Sequence, residues 1–140
     1  MQYRINEGAL TLADPWQDQS INVLLPGRAS TPGVNMVIAR DTLPLGMAFA
    51  DYVAQQRQTF QAQLPDLAIA ADTTGEIDGH PAQFLDLSWR NDGKPVHQLM
   101  AMVVHEGDKV LNFTCSLPER DADGIRQEMI DALMSFKFGP

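Results

Sequence analysis

The sequence predicts an α+β domain, a single antiparallel sheet of six to seven strands with two main helices packed on it. Three observations predict this. Short segments of alternating or continuous apolar character recur from Tyr3 to Leu117. Gly-containing turns join the last four of them into consecutive hairpins. Two stretches with helical spacing, one before Pro65 and one after Pro118, are the only long departures from that pattern.

Tyr3–Ile5 and Leu10–Leu12 flank Glu7-Gly8 and predict an opening hairpin, and Asp14-Pro15 then breaks the chain. Gln19–Leu25 is a strand stopped by Pro26-Gly27, and Arg28–Gly33 is a loop. Val34–Arg40 is a strand that is apolar at nearly every position, so both of its faces should be covered. After the breaker Leu43–Gly46, the spacing of Phe49, Val53, Phe60 and Leu64 predicts a helix over Met47–Leu64. Gln55, Gln58 and Gln61 fall away from that stripe, and Pro65 ends the helix.

Four strands follow: Ala68–Ile77, Ala82–Arg90, Val96–His105 and Lys109–Leu117. Their connections, Asp78-Gly79, Asn91-Asp92-Gly93-Lys94 and Glu106-Gly107-Asp108, suit the positive φ angles of hairpin turns. Pro118 opens a second helix with Asp121 or Asp123 as N-cap, and Ile125, Met129, Leu133 and Phe136 form its apolar face. There is no repeat, linker or low-complexity tract, so residues 1–140 form one domain.

Composition excludes several functions. The net charge is −8 and the pI about 4.6. The ten basic residues form no run, which argues against nucleic acid and anionic membrane surfaces as partners. No apolar run reaches the length of a membrane helix, and no secretory leader or lipidated cysteine is visible at the N-terminus. The single cysteine, Cys115, can make no internal disulfide. A soluble, cytoplasmic protein that does not insert into membranes is expected.

The chemistry of an enzyme is not legible. His97 and His105 share a strand face but are eight residues apart, too far for one metal ion, and His80 sits in a turn. Cys115 falls on the core face, where a thiol is inert. Ser20, Ser88 and Ser116 lack the glycines of a nucleophile elbow, and no phosphate-binding loop is present. Asp86 reads as a buried carboxylate paired with Arg90 or Arg40, or as a sheet-end residue. Catalytic residues, metal and cofactor are all expected to be none.

Alternation divides the sheet into two faces. Leu111, Phe113, Cys115 and Leu117, with Met36 and Ile38, suit the face under the helices. If both helices cover that face, the other carries Ile21, Val23, Val37, Met100 and Met102 among Asn35, Asn112, Thr114 and Ser88. That mixture is too uncharged for a solvated face and too rich in amides and hydroxyls for a closed core. It suits a removable apolar partner. A homodimer, the chain's own loops or a small ligand are the alternative covers.

Trp16-Gln17-Asp18-Gln19-Ser20-Ile21-Asn22-Val23 resembles the signature of the Eag-type effector chaperones of bacterial type VI secretion, within the DcrB-like family. Val37-Ile38-Ala39-Arg40-Asp41, Phe49-Ala50-Asp51-Tyr52-Val53, Gly79-His80-Pro81-Ala82 and Leu85-Asp86-Leu87-Ser88-Trp89 support the resemblance along the chain. It implies a PsbP-like fold, a cytosolic homodimer and no enzymatic activity. It further implies binding of the N-terminal transmembrane helices of a secreted PAAR/Rhs-type effector, with VgrG reached indirectly through that effector. By motif position, Ile21, Val23 and Val37 would make apolar contacts, and Asn35, Ala39 and Gln56 would line the same groove. Met100 and Met102 join them by alternation. Trp16 is expected to anchor the start of the strand. The runner-up is a DcrB-like domain that binds a small ligand or serves as a structural dimer, with no client.

Overall fold

A computed structural model describes residues 1–26, 33–118 and 124–139. Among the described residues, strands β1 (Gln2–Ile5) and β2 (Gly8–Thr11) pair only with each other. They are followed by β3 (Asn22–Leu24), β4 (Asn35–Thr42), helix α1 (Phe49–Gln63), β5 (Ala68–Ile77), β6 (His80–Asn91), β7 (Lys94–His105), β8 (Lys109–Leu117) and helix α2 (Ile125–Met134). The main sheet has six strands in the order β3-β4-β8-β7-β6-β5, and every pairing is antiparallel. The opening hairpin is therefore a separate ribbon. The strand expected over Gln19–Leu25 is paired only at Asn22–Leu24. The predicted loop at residues 28–33 and the predicted caps Asp121 and Asp123 lie outside the described residues, Gly33 excepted.

The turns form as their residues dictate. Ile77 pairs with His80 around Asp78-Gly79, and Asn91 with Lys94 around Asp92-Gly93. Both central residues have positive φ in each turn, 49° and 76°, then 52° and 79°, the geometry that matches strand twist in a two-residue hairpin.

The helices lie on opposite faces of the sheet, which corrects the expectation that both share one. Met129 and Leu133 of α2 pack with Leu99, Ala101, Val103, Leu111, Phe113 and Cys115. Tyr52 and Val53 of α1 pack with Leu85, Leu87, Met102 and Val110. The physical reason is visible in β7, where Ala101 and Val103 are fully buried on one face while Met102 is 3% exposed on the other. A strand apolar on both alternating sets needs two covers. The predicted apolar faces of the helices hold, with Gln55, Gln58 and Gln61 exposed.

Helix α1 is pinned to the far edge of the sheet. Arg57 donates from a terminal guanidinium nitrogen to Asp72 of β5 at 2.9 Å, and Gln83 donates to the same carboxylate. The Arg57 hydrogen bond holds the Asp72 carboxyl below its ordinary value. A depressed carboxylate contributes stability above its unfolded pKa, and that contribution is lost as pH falls through the folded pKa. Arg57→Ala is therefore expected to cost about 0.5–1 kcal/mol at neutral pH, the size of a partly exposed ion pair. Chemical denaturation should show the gap between the two proteins closing below about pH 4, the ordinary range of an aspartate carboxyl.

Candidate functional site

Strand pairing sets the site. Val23 of β3 lies beside Val37 of β4, then Thr114 of β8, then Met100 of β7. The adjoining rows are Asn35, Ser116 and Gln98 on one side and Ala39, Asn112 and Met102 on the other. Directly opposed residues share a face, so six of the predicted contacts, Val23, Asn35, Val37, Ala39, Met100 and Met102, lie on one face. Ile21 sits just before β3 and is 63% exposed, and Val23 is 59% exposed. Asn35, Val37 and Ala39 are half-buried.

Helix α1 covers this face only over β5 to β7 and the turn end of β8, where its core partners lie. The β3–β4–β8 half forms a floor with α1 as a wall along one side. Tyr52 fixes the wall, since its hydroxyl donates to Asp41 Oδ2 at 2.9 Å and accepts from Asn112 Nδ2 at 3.1 Å. Burial pushes the Tyr52 phenol up to about 12, so it stays protonated and keeps both roles. Gln56, one helical turn along from Tyr52, is half-buried on that wall. Met102 is buried under α1 and supports the floor from beneath the helix, while Met100 is half-buried at the helix margin.

The floor is nearly uncharged. On this face of β3, β4, β7 and β8, Asp41 and Lys94, both near strand ends, are the ionisable side chains among the described residues. Amides and hydroxyls supply the rest of its polarity. Trp89 Nε1 donates to Gln98 Oε1 at 3.0 Å, and Gln98 Nε2 donates to Ser116 Oγ at 3.1 Å, beside Asn35. Asn112 and Thr114, expected on this face, complete the floor together with Ser116 and Gln98, although none of the four is among the predicted contacts. Their signal was the alternation of β7 and β8. Ser88 is excluded, because it pairs with His97 on the α2 face.

The start of β3 is held by residues distant in sequence. Tyr3 shares a 2.8 Å hydrogen bond with Ser20 and donates to Asp18 at 3.2 Å. Arg40 donates to the Ser20 carbonyl at 3.1 Å and to Asn22 Oδ1 at 2.5 Å. Hydrogen bonding from the Ser20 side chain keeps the Asp18 carboxyl below its ordinary value. Trp16 is 64% exposed, which corrects its expected anchoring role. Losing both Tyr52 hydrogen bonds in Tyr52→Phe is expected to destabilise the fold by about 1–3 kcal/mol, because Asn112 loses its partner. Thermal unfolding measures this directly.

No metal-binding group of three or more His, Cys, Asp or Glu occurs among the described residues. Burial raises the Cys115 thiol to about 11. Asp86 pairs with Arg126 of α2 at 2.7 Å, whereas Arg90 donates to the Gly93 carbonyl. That pair borders a cavity of about 300 Å³ under α2, lined largely by Phe84, Leu99, Ile130 and Leu133. No helix among the described residues is long and apolar enough to cross a membrane.

Comparison with known proteins places this architecture. The family described as DcrB matches residues 7–135. A Pseudomonas aeruginosa PAO1 protein named Effector EagT6 is 39% identical over 93 residues, 66% of this chain and 65% of that protein, so the matched stretch is slightly under two thirds of the relative's length. The crystal structure of PA94, a Pseudomonas aeruginosa protein of unknown function, is 30% identical with a TM-score of 0.82, covering 100% of this chain and 97% of that one. Two more distant structures share the fold. LpqN of Mycobacterium tuberculosis, involved in cell envelope biogenesis, has a TM-score of 0.64 at 15% identity over 88% of this chain and 84% of its own. Cyanobacterial PsbP from Synechocystis has a TM-score of 0.54 at 14% identity over 82% and 79%. The PsbP-like, α+β expectation therefore holds, and the chain belongs to the DcrB family.

Proposed function

We propose that this protein is a cytoplasmic chaperone that binds the N-terminal transmembrane helices of a type VI secretion effector of PAAR/Rhs type. It shields them until the effector is loaded on the VgrG spike. The role is binding, not catalysis. The observation that carries this reading is the half-covered floor of β3, β4 and β8, with exposed Val23 beside half-buried Asn35, Val37 and Ala39. Its likeness over 93 residues to the protein named Effector EagT6 supports the same direction.

The chemistry fits a membrane helix held in water. Such a helix loses about 25 cal/mol for each Å² of apolar surface left hydrated, so shielding one face is worth many kcal/mol. Within a bilayer, helices meet through small residues and scattered hydroxyls and amides. The floor offers the same mixture, with Ala39 small, Val23 and Val37 apolar, and Asn35, Thr114 and Gln56 polar. The groove thereby stands in for neighbouring helices.

Co-expression with an effector N-terminal fragment tests the reading. The fragment is expected to become soluble and to co-purify with the chaperone. A fragment that stays insoluble, with no complex recovered, would sink it.

A further inference from the structure

Among the described residues, the floor face carries charge only at its two ends. Asp41 lies on that face in the last part of β4, and its row runs through Val110 of β8 to Val104 of β7. Lys94 lies on the same face at the start of β7, ten residues before Val104. At 3.3 Å per residue, the two levels are about 33 Å apart along the strands. The hydrocarbon core of a membrane is about 30 Å thick, and ~20 helical residues cross it. The uncharged length of the floor therefore matches the apolar length of a membrane helix. A charge stands at each end, where the residues flanking that helix would fall.

Asp41 is held in place as an anion. The Thr42 backbone N–H donates to its Oδ1 at 2.8 Å, and the Tyr52 hydroxyl donates to its Oδ2 at 2.9 Å. Both donors are neutral, so they fix the direction of the carboxylate without cancelling its charge. Asp41 is exposed, and no ion pair among the described residues uses it. The neighbouring Arg40 points to the opposite face by alternation and bonds the Ser20 carbonyl and Asn22 instead.

We propose that Asp41 selects and orients the client helix by pairing with Lys or Arg residues that flank one end of its apolar span, the other end lying toward Lys94. This inference rests on the proposed function and adds to it a requirement and a direction. An uncharged helix end laid over Asp41 would strip water from a carboxylate and give nothing back, which is costly. A basic flank replaces that water with a charge-assisted hydrogen bond. An acidic flank meets like charge, the repulsive element that specificity needs. Membrane helices supply the cation, because Lys and Arg concentrate beside one end of the span. Tyr52 thereby gains a second task, since the hydroxyl that ties α1 to the floor also aims the carboxylate.

The test uses the full chain and two synthetic helices of about 20 Leu, Ala and Ser residues. They differ only in a Lys-Lys or a Glu-Glu pair at one end. Binding is titrated by fluorescence in a non-ionic detergent. The wild-type protein is expected to prefer the Lys-flanked helix by about fivefold at low salt, the upper range of an exposed ion pair. The preference should shrink as salt is added. Asp41→Lys should reverse it, and Asp41→Asn should remove most of it. A net charge of −8 attracts any cation, so Asp131→Lys on α2, across the sheet, is the control: it changes the net charge equally and should leave the preference in place. Circular dichroism checks each fold. Asp41→Asn keeps an acceptor for Tyr52 and decides the matter if the lysine variant is unfolded. Equal effects at Asp41 and Asp131, or equal binding of both helices by the wild type, would overturn the inference and keep the proposed function. Binding of neither helix would overturn the proposed function, and this inference with it.

Discussion

Val23→Asp is expected to weaken client retention by about 100-fold or more while leaving the melting temperature within a degree or two of wild type. The two halves of that expectation come from one number. Val23 is 59% exposed in the free protein, and substitutions at such positions change stability by about 0.5 kcal/mol or less. In the proposed complex with a membrane helix the same position would become dry. A carboxylate facing apolar helix surface costs about 3 kcal/mol on insertion scales, and every 1.4 kcal/mol is tenfold in affinity. Titration of a solubilised client helix measures the loss, and circular dichroism checks the fold. Val37→Asp, directly beside Val23 on β4, should lose binding as well, at some cost in stability because Val37 is half-buried. Unchanged binding in Val23→Asp would remove β3 from the site altogether.

The sequence made the local chemistry legible and left the distant contacts hidden. The hairpins from β5 to β8 could be read because each turn carries residues whose backbone preferences specify it. The grouping of Val23, Asn35, Val37, Ala39, Met100 and Met102 on one face could be read because strand alternation is strict and no bulge interrupts β4, β7 or β8. What alternation cannot say is which face a helix takes. The apolar content of both sets in β7, Leu99, Ala101 and Val103 against Met100, Met102 and Val104, was the available sign that helices lie on both sides. Anchoring of β3 escaped for a different reason. A tryptophan after a proline looks like a plug, yet the hydrogen bonds that hold this strand come from Tyr3 and Arg40, 17 and 20 residues away from Ser20. The Asp86–Arg126 pair spans 40 residues, and no spacing rule connects them.

Phe113→Ala should show the opposite phenotype, with stability lost and the floor untouched. Phe113 is 3% exposed on the α2 face, beside Ala101 and Ile38 in the pairing register. Its ring meets Phe136 edge-on at 5.3 Å between centroids, and Phe136 in turn meets Phe138 at 4.9 Å. Truncation removes the ring, opens a cavity and leaves Phe136 with Phe138 as its remaining ring partner. Such substitutions cost about 3–5 kcal/mol, a large share of the roughly 5–15 kcal/mol that holds a domain together. At about 2–4 °C per kcal/mol for a chain of this size, the midpoint should fall by roughly 6–20 °C. Because β8 is a central strand shared by both faces, a looser α2 side would still leave Thr114 and Asn112 presented from the same backbone. Client affinity measured below the melting transition should therefore stay within a few-fold of wild type. A selective loss of affinity in folded Phe113→Ala would mean that the two faces are coupled through β8, and the floor could no longer be treated as a preformed surface.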